Sequence, residues 1–300
     1  MTEVPPEVFA EFHGPENYPF LRREWLRALE EPGAVSTRTG WIPRHLALYW
    51  GTELIAFAPN YIKLHSLGEF VFDQGWAEYS EHQLGVAYYP KSVVCVPFTP
   101  ATGPRLLFRK GLGAKERETC WDVLTGALPE VAKKLQLSSV HWLFPEEQQG
   151  EELEERDWLV RWGVQYQYHR GAAQSFDDYL GSFRSKKRSC IRRERRAMEE
   201  QRVQIQRLEG EELGEVSPQL AYALYLSTID KYFYGRRYLP ESFFEKVFQT
   251  MPDGLQFVVA RDEESSEVIA GALNLLGKEA LFGRYWGALK EKPFLHFNIC

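Results

Sequence analysis

The stretch LQFVVARDEESSEVIAGALNLLGKEALFGRYWGALKEKPFLHF, residues 255–297, decides the fold. LQFVVAR, VIAGALNLL and EALFGRYWGAL are apolar runs rich in β-branched and aromatic residues. The short polar joins DEESSE and GKE separate them, which predicts consecutive strands that turn back on one another. Pro293 then breaks the pattern, and the apolar residues after it read as a helix start. The expected unit is an antiparallel meander that delivers its last strand into a helix.

Working outward, the same grammar appears twice. Ahead of the meander come helices from Phe176 to Met198, a strand VQIQRL, and helices across 211–233 and 240–250. In the first half, Phe20, Leu21, Trp25 and Leu29 recur at helical spacing between Pro15 and Glu31. RHLALYWGTELIAFAPNYIKL reads as two strands turning at Gly51-Thr52. GVAYYPKSVVCVPFTP and PRLLF add strand material, interrupted at Pro100 and Gly103-Pro104. A helix follows from Lys115 to Leu135, with Trp121, Leu124, Leu128, Val131 and Leu135 on one stripe, and SSVHWLF closes the half as a short buried strand. The acidic PEEQQGEELEERD reads as a linker, and GVQYQYHR as a strand beyond it. Both halves run helix, antiparallel strands, helix, which points to an internal duplication of one α/β unit.

Composition excludes several classes. The chain has 300 residues, 44% of them hydrophobic and 14% aromatic, enough for a sizeable core. Its net charge is −6. Eight basic residues and one acid fall between Arg184 and Arg196, so that segment alone carries +7 and the remainder −13. A protein that binds nucleic acid over its whole surface does not look like this. Cys95, Cys120, Cys190 and Cys300 are widely spaced, which favours reduced thiols and a cytoplasmic location. No run approaches the roughly 18 uncharged apolar residues of a membrane span, and the N-terminus lacks the features of a signal peptide. No histidine or cysteine pattern has metal-ligand spacing, so no metal is expected.

The basic segment has its own local logic. Phe176, Tyr179, Leu180 and Phe183 form an apolar stripe whose next position is Lys187, so the stripe breaks there. A short helix capped by Ser175, a kink near Ser185 and a second helix from about Lys187 would aim that helix's N-terminal amides, with Lys186, Lys187, Arg188 and Arg192, at one anion. The alternative is a solvated basic face.

Several stretches taken together carry a family likeness: FVFDQGWAEY (70–79), YYPKSVVCVPFTPATGPRLL (88–107), HWLFPEE (141–147), SFDDYLGSFRSKKRSCIRRERRAMEEQRV (175–203), DKYFYGRRYL (230–239) and GALNLLGKEALFGRYWGALKEKPFLHFNIC (271–300). They resemble the FemAB-like branch of the GNAT acyl-CoA N-acyltransferase superfamily, proteins of peptidoglycan biosynthesis or recognition. The resemblance implies an α/β (α+β) fold of tandem duplicated GNAT-like units with mixed, largely antiparallel sheets flanked by helices. The halves would be residues 1–158 and 159–300. It also implies that the family pattern continues past Cys300, leaving the last helix and strand region of the second half outside this sequence. The activity it implies is transfer of an acyl or aminoacyl group, from acyl-CoA or aminoacyl-tRNA, to an amine such as that of a peptidoglycan-type precursor. The partners would be an anionic or phosphorylated substrate and, with the second donor, tRNA. A non-catalytic scaffold that binds an anionic cell-wall precursor or RNA through the basic helix is the alternative. Oligomeric state is not readable.

Direct acyl transfer needs an amine nucleophile, a donor for the carbonyl oxyanion and charge to hold phosphates. Within the matched stretches, Asp73, Tyr285 and His296 are the candidates for chemistry, although Asp73 could instead cap the next helix and His296 could be a packed core residue. Lys231 is a candidate phosphate contact, or a surface pair with Asp230. Arg284 stands mid-strand in an apolar meander and needs a partner, and Trp286 beside it is a cleft or core residue. Gly111, Gly113 and Ala114, in FRKGLGAK before a helix, resemble a GNAT pyrophosphate loop but lack its opening Gln or Arg, with Phe108 in that place.

Overall fold

The structure, a computed structural model, describes residue 1, residues 4–12 and residues 14–300. The chain divides into two compact units, residues 1–163 with 238–243, and residues 164–237 with 244–300. The mixed α/β, largely antiparallel architecture expected from the sequence is present.

In the first unit, α1 (Pro6–Phe9) is followed by a 3-10 turn at Pro19–Leu21 and by α2 (Arg23–Glu30). The single helix expected over Pro15–Glu31 is split because Arg22 takes an extended backbone, φ −61° and ψ 140°. The strands β1 (Trp41–Pro43), β2 (Leu46–Trp50), β3 (Glu53–Ala58) and β4 (Asn60–Lys63) come next. RHLALYWGTELIAFAPNYIKL thus holds three strands, not two. The hairpin β2–β3 turns at Gly51, whose φ of +60° suits glycine. Pro59, with no N–H to donate, separates β3 from β4, which joins another sheet.

Then come α3 (Gln74–Gln83), β5 (Lys91–Val94), β6 (Leu107–Phe108), α4 (Ala114–Lys134), β7 (Val140–Trp142) and α5 (Glu147–Glu154). One sheet has the order β1-β4-β5-β7 and the other β2-β3-β6. β5 and β7 are parallel, and α4 lies in the connection between them, as a crossover requires. α4 buries Cys120, Trp121, Leu124 and Leu128, whereas Val131 and Leu135 of the expected stripe are about half exposed, at 46% and 52%. The acidic stretch read as a linker contains α5. Gln149 on that helix accepts from the amides of Arg105 and Leu106 and donates to the Leu106 carbonyl, which fixes the helix to the chain before β6.

GVQYQYHR, read as a strand, forms no ladder among the described residues; Val164, Tyr166 and Tyr168 are exposed. The second unit holds α6 (Phe176–Gly181), α7 (Ser185–Glu200), β8 (Val203–Glu209), α8 (Pro218–Ile229), most of α9 (Glu241–Thr250), β9 (Leu255–Asp262), β10 (Val268–Leu276), β11 (Leu281–Ala288) and α10 (Leu295–Ile299). The meander read from residues 255–297 is realised in the sheet β11-β10-β9-β8, antiparallel throughout. The helix expected to reach residue 233 stops at Ile229, and Tyr232, Phe233 and Tyr234 stand exposed beyond it. α8 meets β11 backbone to backbone: a Cβ at Gly287 would lie 1.8 Å from the Leu224 carbonyl oxygen. There the Ala288 amide donates to Ser227 Oγ at 3.0 Å, and Thr228 donates to the Trp286 carbonyl at 2.5 Å.

Candidate active site

Alternation along β5 sends Val94 into the cluster packed by α4, and Lys91, three residues earlier, to the opposite face. Lys91 is completely buried. Its ammonium donates to Glu69 Oε2 at 2.8 Å and to Asp73 Oδ2 at 2.6 Å, and the Tyr88 hydroxyl donates to the same Asp73 oxygen at 2.9 Å. Lys63, paired with Lys91 in the β4–β5 register, is also completely buried. Its ammonium donates to the Leu67 carbonyl at 3.0 Å and lies 3.6 Å from the centroid of the Trp41 ring. The second oxygen of each carboxylate, Glu69 Oε1 and Asp73 Oδ1, is buried and has no hydrogen-bond partner among the described residues.

Two lysines and two carboxylates balance in charge but not in proton affinity. Burial pushes Glu69 above the ordinary carboxylate range, and the nearby lysines only partly offset it. Burial acts on Asp73 in the same sense and is the largest single influence, but the hydrogen bonds its carboxylate accepts, that from Lys91 foremost, and the Lys91 charge together outweigh it and hold the carboxyl below its usual value. Burial lowers Lys63 to about 7. His141, on β7, is lowered to about 4 by burial and then by the Lys91 charge, so it is neutral at pH 7, with Nε2 2.8 Å from Ser139 Oγ. The Tyr88 hydroxyl is raised by burial and by its bond to Asp73, and it remains a donor. Two neighbouring carboxyl groups with proton affinities pushed apart can divide the roles of base and anchor.

The local chain explains how Asp73 gets there. Phe70 and Phe72 have φ of +62° and +52°, a backbone that bulky residues rarely adopt. Asp73 then precedes α3. Its carbonyl accepts from the amides of Trp76 and Ala77, but its carboxylate caps nothing and turns inward to Lys91. Phe72, Trp76 and Tyr79 are exposed around it in sequence, and the Arg161 guanidinium lies 5.2 Å from the Trp76 ring centroid.

The other predicted positions are in different surroundings. α7 begins at Ser185, after a break at residues 182–184, and no side chain caps it. Arg188 turns back to the Phe183 carbonyl at 2.7 Å, and Arg192 reaches Asp177 at 3.4 Å. The four cations therefore do not converge on one point. Lys186 and Lys187 are exposed, and their side chains make no bond among the described residues. Lys231 pairs with Glu291 at 2.5 Å rather than with Asp230, which holds Arg237.

Tyr285 packs edge-on against Tyr225, with its hydroxyl 3.4 Å from Arg284 Nη2. The Arg284 guanidinium lies 5.0 Å from the Tyr285 ring centroid. His296 is exposed rather than a core residue, edge-on to the half-buried Trp286 at 4.9 Å between centroids. Gly111 and Ala114 are exposed, and the Gly113 amide at the start of α4 donates to Glu116 Oε2 at 2.7 Å. A carboxylate of the protein thus occupies one amide that a pyrophosphate loop would offer.

Lys91, Glu69, Lys63 and Tyr88 were missed as site residues. Their signal was present: a lysine at an inward position of the apolar KSVVCV needs a buried partner, by the argument applied to Arg284. No comparable signal pairs it with Glu69 and Asp73, 22 and 18 residues away.

A family model described as peptidoglycan biosynthesis/recognition, FemAB-like, matches residues 1–300. No curated protein matches the chain. Among solved structures, the crystal structure of FemX is similar, with 11% identity, a TM-score of 0.47, and coverage of 95% of this chain and 79% of that one.

Proposed function

Because this chain belongs to the FemAB-like family of peptidoglycan biosynthesis and recognition, we propose that it is an N-acyltransferase that passes an acyl or aminoacyl group to an amine of a peptidoglycan-type precursor. The donor is a CoA thioester or an aminoacyl-tRNA. The two halves, 1–158 and 159–300, are the copies of a duplicated GNAT-like plan, and the chemistry is assigned to the first.

One observation carries this reading: two buried carboxylate oxygens, Asp73 Oδ1 and Glu69 Oε1, lack a donor. A buried acceptor left unpaired costs about 1–3 kcal/mol, and the N–H groups of an acceptor amine would supply what is missing. Asp73, held ionised by Lys91, orients the amine. Glu69, whose proton affinity burial raises, is the better match for the proton the nitrogen releases. The amine lone pair attacks the donor carbonyl carbon, and the C–S or C–O bond to the carrier breaks. The proton from nitrogen passes through Glu69 to the leaving sulfur or oxygen, so no covalent enzyme intermediate forms.

The test is thiol release from acyl-CoA, and transfer from aminoacyl-tRNA, in the presence of precursor amines. Glu69→Gln is expected to lower kcat by about 100-fold or more, with unchanged circular dichroism. Full turnover by that variant, or absence of transfer from either donor class, overturns the reading. The exposed and unpaired Lys186 and Lys187 favour a second reading, a non-catalytic scaffold that holds an anionic precursor or RNA on α7; this would show salt-dependent binding without transfer.

A further inference from the structure

On the α4 side of the sheet β1-β4-β5-β7, away from the charge cluster, lies an open cavity of about 220 Å³. It is open to solvent, with Arg44, Val131 and Leu135 of its lining exposed, and its volume exceeds the roughly 150 Å³ that holds benzene in an enclosed apolar cavity. The small residues Ser92 on the sheet and Ala132 on α4 are part of its lining, where larger side chains would fill the space.

Its walls differ in kind. Leu46 and Ile62 from the strands, with Leu128, Val131 and Leu135 from α4, make an apolar wall without an aromatic ring. Val131 and Leu135 are the two positions of the helix stripe that the core leaves half exposed. The polar wall is Arg44, His45, Asn60 and Ser92, and most of its groups bond to protein. His45 meets Glu30 through Nε2 at 2.8 Å and accepts from the Asn60 amide through Nδ1 at 3.3 Å. Ser92 donates to Asn60 Oδ1 at 2.7 Å, and the Asn60 side chain donates to the Arg44 carbonyl at 2.9 Å. The exposed Arg44 guanidinium is the exception, since its bond is to the neighbouring Pro43 carbonyl, through Nη1 at 3.0 Å. A complementary ligand therefore has a flexible aliphatic body and a single anionic head.

We propose that this cavity binds a medium-chain carboxylate of about eight carbons, alkyl chain against the α4 wall and carboxylate on Arg44. Binding is independent of the transferase reading. It is measured on the full chain by isothermal titration calorimetry with octanoate, hexanoate, butanoate and octanol. Each methylene removed should weaken binding about fourfold, the equivalent of ~0.8 kcal/mol of apolar burial. Octanol should bind at least tenfold more weakly than octanoate, and Arg44→Glu should remove that difference. Val131→Trp, a change at an exposed lining position, should abolish binding while the melting temperature is unchanged; Ala132→Phe, at a buried lining position, serves as the second variant. Octanol binding as tightly as octanoate, the absence of a chain-length trend, or undiminished binding in both filled variants would each overturn the proposal.

Discussion

Lys63 and Lys91 lie wholly out of solvent in the first unit, each with a named acceptor, whereas Lys186 and Lys187 in the second unit stand in water with none. Both regions are dense in charge, and the sequence advertises only the exposed one. Charges in water can cluster with like neighbours at modest cost because solvent and salt screen them. Buried charges persist only where opposite charge and hydrogen bonds compensate them. A run of eight cations is therefore cheaper to maintain than one inward lysine, and says less about chemistry.

The comparison breaks most visibly at Lys91. Lys91→Met leaves Glu69 and Asp73 buried without their shared cation, and should cost about 3–5 kcal/mol in urea denaturation, while Lys187→Met should leave the midpoint where it was. Equal small effects would mean that the cluster is solvated and the contrast false. Asp73→Asn tests the same cluster more gently, since the amide keeps its shape; a loss of stability well below that of Lys91→Met is expected, together with a rise in KM for the acceptor amine.

Acidity sharpens the contrast further. The proton affinity of Lys63 falls in the folded protein from the ordinary value of 10.5 to about 7. At pH 9 the unfolded chain holds a proton there that the folded chain does not, so raising the pH from 7 toward 10.5 favours folding. Glu69 is raised instead, so in its own window, above 4.5, the folded chain holds the extra proton and stability falls as pH rises. Urea titrations at pH 7 and 9.5 should show this Lys63-linked gain in the parent and lose it in Lys63→Met. The smallest effect belongs to α7. If α7 holds RNA, as the scaffold reading has it, replacing Lys186 and Lys187 with serine should flatten the salt dependence of that binding by a slope of about 1.4, the value for two phosphate contacts on a single strand, with no change in melting temperature.

What was legible in the sequence follows from range. The meander at 255–297 and α4 were readable because periodicity and turn residues act over a few positions. α7 was readable because the interruption at Lys187 is local. The division of 41–63 between two sheets was not, because a strand's partner is a long-range choice; β4 pairs with β5, more than 25 residues away. The cluster around Lys91 was half legible: Asp73 stood out as a polar residue in an apolar run, yet the lysine that turns it inward follows 18 positions later. GVQYQYHR has the alternation of a strand and makes no ladder, since alternation specifies two faces and supplies no neighbour.

The contact of α8 with β11 has a consequence for how the second sheet ends. β11 is an edge strand, and edge strands present unpaired amides and carbonyls that invite another chain. Ser227 and Thr228 use their hydroxyls on the Ala288 amide and the Trp286 carbonyl, so the helix closes that end of the border with side chains. Any strand joining this sheet is confined to the stretch before Trp286, and Gly287, by admitting the helix so closely, marks where the sheet stops growing.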